Sequence, residues 1–75
     1  MKLTINGETR QLQEFQEFHA LTMPLTVAAL VEALGYTGKR IAVERNGEIV
    51  PRSRHSDVIL AEGDRIEIVV AVGGG

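Results

Sequence analysis

Apolar side chains fall at every second position in Lys2–Leu3–Thr4–Ile5, the signature of a strand with one buried face. Asn6–Gly7 follows, and both residues tolerate the positive φ that a two-residue hairpin demands. Glu8 to about Leu12 then reads as the returning strand, on a weaker pattern. The period changes at Thr26. Val27, Leu30, Val31 and Leu34 recur at i, i+3, i+4 and i+7, one apolar stripe along a helix. Thr26 supplies an N-cap oxygen, and Gly35 stands where a glycine closes a helix C-terminus. Ile41–Arg45 and Glu48–Val50 read as a second hairpin turned at Asn46–Gly47, ended by Pro51, which has no N–H to donate. Ser53 to Ser56 is loop-like, Val58–Ile59–Leu60 a short strand or single turn, and Glu62–Gly63–Asp64 a turn. Arg65 to Val72 is the longest strand: Ile66, Ile68, Val70 and Val72 share one face, and Arg65, Glu67, Val69 and Ala71 the other.

The predicted order is therefore hairpin, helix, hairpin, short connection and final strand. A crossover helix after an opening hairpin must return right-handed to the sheet. One amphipathic helix covers one face of a mixed sheet of four to five strands, a two-layer α+β domain of the β-grasp type. The expected core is Leu3, Ile5, Val27, Leu30, Val31, Leu34, Ile41, Val43, Ile66, Ile68 and Val70. The domain runs from residue 1 to 72, and residues 73–75 form a flexible glycine tail. Gln13 to Met23 departs from the pattern: Gln–Glu–Phe occurs twice in succession, and a connection this long is unusual in a small domain. Its Phe15 and Phe18 are expected to cover one end of the core.

Composition narrows the function classes. The chain has 75 residues, room for one core, and its 44% hydrophobic and 24% charged residues are those of a folded domain. A net charge of −2 gives no electrostatic footprint for nucleic acid or an anionic membrane. No spanning apolar stretch and no signal-peptide pattern is present, so a cytoplasmic monomer is expected. Cysteine is absent, which removes disulfides, thiolate nucleophiles and cysteine-based metal sites.

Side-chain catalysis has little support. His19 and His55 are far apart in sequence, show no metal-ligand spacing, and read as surface or boundary histidines. Ser53 and Ser56 near His55 lack an orienting acid and an oxyanion hole. Asp57 and Asp64 read as turn or capping residues, not as an acid–base pair. Lys39, Arg40, Glu44 and Arg45 read as a solvated face.

The end of the chain differs. Gly73–Gly74–Gly75 adds nothing to a core, but a backbone without Cβ atoms enters channels closed to other residues. Extended, it reaches roughly 10 Å past the last strand. Either the Gly75 carboxylate is the working group, or the glycines are a frayed terminus or an expression scar. Val69 and Ala71, small apolar residues among charges in the strand leading there, suggest a partner contact patch; shielding by residues 14–24 is the competing explanation.

Ala42–Val43, Asn46–Gly47–Glu48–Ile49–Val50–Pro51–Arg52, Glu62–Gly63–Asp64–Arg65–Ile66–Glu67–Ile68 and Val72–Gly73–Gly74–Gly75, with Thr26–Val27 and Leu30, resemble the ThiS family. These are the ubiquitin-like sulfur carriers of thiamine biosynthesis. Two departures are the insertion from about Glu14 to Pro24 and His55, where the family often carries tryptophan. The resemblance implies that a partner adenylating enzyme spends ATP, with magnesium, on Gly75, while Gly73 and Gly74 thread its active site. A persulfide, on that partner or a cysteine desulfurase, then displaces AMP to leave a thiocarboxylate, which passes sulfur to thiazole synthase. The chain itself would bind no cofactor or metal and would not be an enzyme. Three other functions stay open: the small subunit of molybdopterin synthase, a ubiquitin-like protein modifier, and a non-covalent β-grasp interaction module.

Overall fold

The computed structural model describes residues 1–11 and 25–71. The phenylalanine-bearing connection, Leu12, Val72 and the glycine tail lie outside the described residues. The elements are β1 (Lys2–Ile5), β2 (Glu8–Gln11), α1 (Val27–Ala33), β3 (Ile41–Arg45), β4 (Glu48–Val50) and β5 (Arg65–Val70), with a 3-10 turn over Arg52–Arg54. They form one sheet in the order β2-β1-β5-β3-β4. Only β1 and β5 pair in parallel among these ladders, in register Ile5 to Ile66. The helix and the mixed five-stranded sheet are the β-grasp arrangement that the hydrophobic pattern predicts.

A seven-residue helix is too short to persist alone, so tertiary packing must hold it. The Thr26 hydroxyl accepts the Ala29 amide at 3.1 Å, and Gly35 at φ 85° closes the other end, as expected. Val27, Leu30 and Val31 bury their stripe against Leu3, Ile5, Val43, Ile66 and Ile68. Leu34 and Ile41 pack at the margin of this core, and Val70 is only half-buried. Leu25, Val50 and Leu60 complete the core in addition to the predicted set. Val50 enters because it stands opposite Val43 across the ladder. Leu25 and Leu60 enter because the Leu60 amide donates to the Leu25 carbonyl at 2.8 Å, beside an isolated bridge between Thr26 and Ile59.

Both Asn–Gly turns form. Asn6 and Asn46 sit at φ 51° and 52° and their glycines at 82° and 88°, the paired positive values of the tight hairpin. The asparagine side chains also clasp β5. The β1–β5 ladder ends at Ile66, and the Asn6 side-chain oxygen accepts the next inward-facing amide, that of Ile68, at 2.7 Å. The Asn46 oxygen accepts the Arg65 amide at 2.8 Å. Two loops thus fix the register of the central strand from either side.

Asp64 is a turn residue, as predicted, but it is buried and does more than end a turn. Its carboxylate accepts the Ala61 amide at 2.8 Å, Asn46 Nδ2 at 3.0 Å and Arg45 Nε at 2.8 Å. Arg45, expected on the solvated face, is thereby drawn into an ion pair. The register explains it: Arg45 lies opposite Ile66, on the core side of the sheet, where the Asp64 turn is within reach. Burial opposes ionisation of Asp64, yet the bonds from Asn46, Ala61 and Arg45 outweigh it and hold the carboxyl below its ordinary range. A depressed carboxyl contributes stability above its unfolded pKa, and that contribution disappears as pH falls through the folded value. Unfolding free energy followed by denaturant titration should therefore fall below about pH 4. Asp64→Asn should remove this part of the acid dependence and cost about 1–3 kcal/mol at neutral pH.

Candidate functional site

The helix covers one face of the sheet. The other carries Ala42 and Glu44 of β3, Ile49 of β4 and Glu67 and Val69 of β5, residues that alternate with the buried positions. Val69 is 62% exposed and Ile49 69%, unusually open for side chains of their size. Ala42 stands directly opposite Val69.

β5 was predicted to run to Val72; it ends at Val70. Pairing nevertheless reaches one residue further, because the Ala71 amide donates to the Arg40 carbonyl at 2.9 Å. This bond holds the chain against the start of β3 on its way to the glycines. Ala71 is exposed there. The structure thus brings the predicted Val69 and Ala71 together at one end of the open face. Gly73, Gly74 and Gly75 lie outside the described residues.

Val69 and Ala71 border a groove of about 380 Å³ whose other walls are Ala42, Ile41, Arg40 and Arg52. Both arginines escape a reading of the sequence as a site. Arg40 belonged to the solvated face, and Arg52 lies seventeen positions before Val69 in the chain. The 3-10 turn after Pro51 brings Arg52 back, and its Nη2 donates to the Lys39 carbonyl at 2.8 Å. The only sequence signal was Pro51 itself, which forces a change of direction directly before the arginine.

The described side chains offer no catalytic constellation. His55, expected at the surface or boundary, is buried at 8% exposure, with Nε2 3.1 Å from the Val50 carbonyl oxygen. It is drawn inward because its own carbonyl accepts the Ala28 amide of α1 at 2.9 Å, tying the 3-10 turn to the helix. Ser53 and Ser56 are exposed and point to no such pairing with the buried ring. Asp57 lies on the surface, 3.7 Å from Arg54. His19 is outside the described residues. Among the described residues no three acidic or histidine side chains cluster to hold a metal, and no helix is long and apolar enough to cross a membrane. What the geometry can do is present a surface and deliver a strand end.

A family model described as the ThiS family matches residues 3–75. The crystal structure of a thiamine biosynthesis protein (ThiS) from Geobacter metallireducens is similar over the full length of both chains, with a TM-score of 0.74 and 29% identity. The sulfur carrier protein ThiS of Bacillus subtilis is 42% identical over 50 residues, covering 67% of this chain and 76% of that protein. A thiazole synthase from Paramagnetospirillum magneticum is 44% identical over all 75 residues, and the chain spans 20% of its length.

Proposed function

Because this chain belongs to the ThiS family, the ubiquitin-like sulfur carriers of thiamine biosynthesis, we propose that it carries sulfur on Gly75 for the thiazole ring. The observation that carries this reading is the family match through residue 75, which takes in the glycines together with the fold. A free carboxylate is a poor electrophile. An adenylating partner therefore uses ATP and magnesium to join the Gly75 carboxylate to AMP, with pyrophosphate leaving. A persulfide sulfur, on that partner or on a cysteine desulfurase, attacks the acyl carbon and expels AMP. A thiol then reduces the remaining sulfur–sulfur bond and releases the thiocarboxylate.

In this mechanism the chain is substrate and recognition surface, not an enzyme, and it binds no cofactor of its own. Gly73 and Gly74 admit the terminus to the partner active sites, since only a backbone without Cβ atoms passes a narrow channel. The exposure of Val69 and Ala71 supports them as the contact by which a partner grips the strand feeding that channel. The absence of cysteine leaves no internal thiol to intercept the activated acyl group. Likeness to a thiazole synthase across the whole chain supports that enzyme as the sulfur acceptor.

The test is the sulfurated species. The 75-residue chain, incubated with its cognate adenylating enzyme, ATP, magnesium and a sulfur donor, should gain the mass difference between one sulfur and one oxygen atom, mapped to Gly75. Omitting the donor should trap the adenylate. The product should react with thiol-alkylating reagents at neutral pH, as the starting chain cannot. Conjugates to lysine would favour a protein modifier instead, and an unchanged intact mass a non-covalent module.

A further inference from the structure

Glu44 and Glu67 stand directly opposite each other on the antiparallel ladder between β3 and β5, both on the open face. Side chains in that relation have Cβ atoms about 5 Å apart, and like charges there oppose folding. Neither carboxylate has an ion pair or a side-chain hydrogen bond among the described residues. Arg65 shares the face and is not engaged with either. The fold therefore gains nothing from this pair. It is flanked by the two most exposed large apolar side chains of the sheet, Ile49 opposite Glu44 and Val69 one row along.

At the other end of the same face, Arg40 and Arg52 wall the groove beside Ala71. The face is thus polarised along β5, with two carboxylates, then apolar Ala42 and Val69, then two guanidinium groups where the chain leaves for the glycines. Four residues of strand separate the poles, about 13 Å at the rise of an extended chain.

We propose that this face docks a protein surface carrying a lysine or arginine that enters between Glu44 and Glu67, and an aspartate or glutamate about 13 Å away that meets Arg40 and Arg52. The apolar side chains between the poles exclude water, which strengthens both contacts. Opposite charges at the two ends admit the partner in one direction only, because the reversed pose sets like charges against each other. That direction decides where the strand end is delivered. Resting on the sulfur-carrier reading, the partner is the enzyme that activates the tail, since it must receive Gly75 in a fixed orientation.

The test measures binding of that adenylating enzyme by calorimetry without ATP, alongside adenylation of the same samples. Glu44→Lys should weaken binding at least about tenfold, as loss of a desolvated interfacial charge pair does. Its melting temperature should stay level or rise, because a lysine opposite Glu67 turns repulsion into attraction. Arg40→Glu with Arg52→Glu should weaken binding comparably. Glu32→Lys makes the same change in net charge on the exposed side of α1, and should change binding less than about twofold. Equal losses for Glu44→Lys and Glu32→Lys, or none for Glu44→Lys, would overturn the docking proposal. Should the wild-type chain bind without being adenylated, the carrier reading falls while the comparison of variants still decides the docking surface. A wild-type chain that does not bind overturns both.

Discussion

Deleting Gly75 from the 75-residue chain, or adding one residue after it, is expected to abolish adenylation and sulfur transfer while leaving the melting temperature unchanged. On the sulfur-carrier reading the reacting group is the Gly75 carboxylate, whose oxygen is adenylated and whose carbon then takes up sulfur. One residue more or less displaces it by roughly 3.5 Å along an extended chain. Misplacing a reacting group by 1 Å costs on the order of a hundredfold, so this displacement removes turnover altogether. Stability is spared because glycine has no side chain to bury, and among the described residues the core cluster runs from Leu3 to Ile68. Intact mass after incubation with the adenylating enzyme and ATP checks the first half, and a thermal melt the second. A truncated chain that still takes up sulfur would remove Gly75 from the mechanism.

Leu30→Ala carries the largest expected loss of stability. Leu30 is 0% exposed, at the centre of the stripe by which α1 meets the sheet. Truncating a fully buried leucine costs about 2–5 kcal/mol, the transfer term plus the cavity left behind. A chain of this size has about 4–11 kcal/mol in total. The variant should therefore lose roughly 8–40 °C in melting temperature, at about 4–8 °C per kcal/mol for a small domain. α1 has seven residues and no independent stability, so helical circular dichroism should disappear in the same transition as the sheet signal. Ile59→Ala, at a side chain 52% exposed, should change stability by no more than about 0.5 kcal/mol. Equal effects at the two positions would contradict the core described above.

The elements themselves were legible in the chain because each rests on a local rule. Period-2 alternation marks Leu3 and Ile5, a 3.6-residue stripe marks Val27 to Leu34, and two Asn–Gly pairs dictate two tight turns. These rules involve neighbours within a few positions, so no partner strand need be known to apply them. From them follow the β-grasp order and most of the core, and a chain end of three glycines draws the eye as candidate chemistry.

Tertiary structure alone decided what the polar residues do, because their partners are remote in the chain. Arg45 looked solvated until strand register set it beside Asp64, nineteen positions away. Asn6 looked like a turn residue until the parallel ladder ran out and left the amide of Ile68, sixty-two positions on, for its side chain to satisfy. His55 was drawn inside by a helix whose first turn bonds its carbonyl, which no pattern around residue 55 announces. The same holds for the open face. Alternation told which residues of β5 point away from the core, but only pairing with β3 set Glu44 against Glu67, and only the turn after Pro51 returned Arg52 to the strand end. Hydrophobic burial is read from periodicity since it is non-directional and each apolar residue contributes wherever the core lies. A hydrogen bond or an ion pair needs one particular partner within about 3 Å, and that is settled by how distant strands meet.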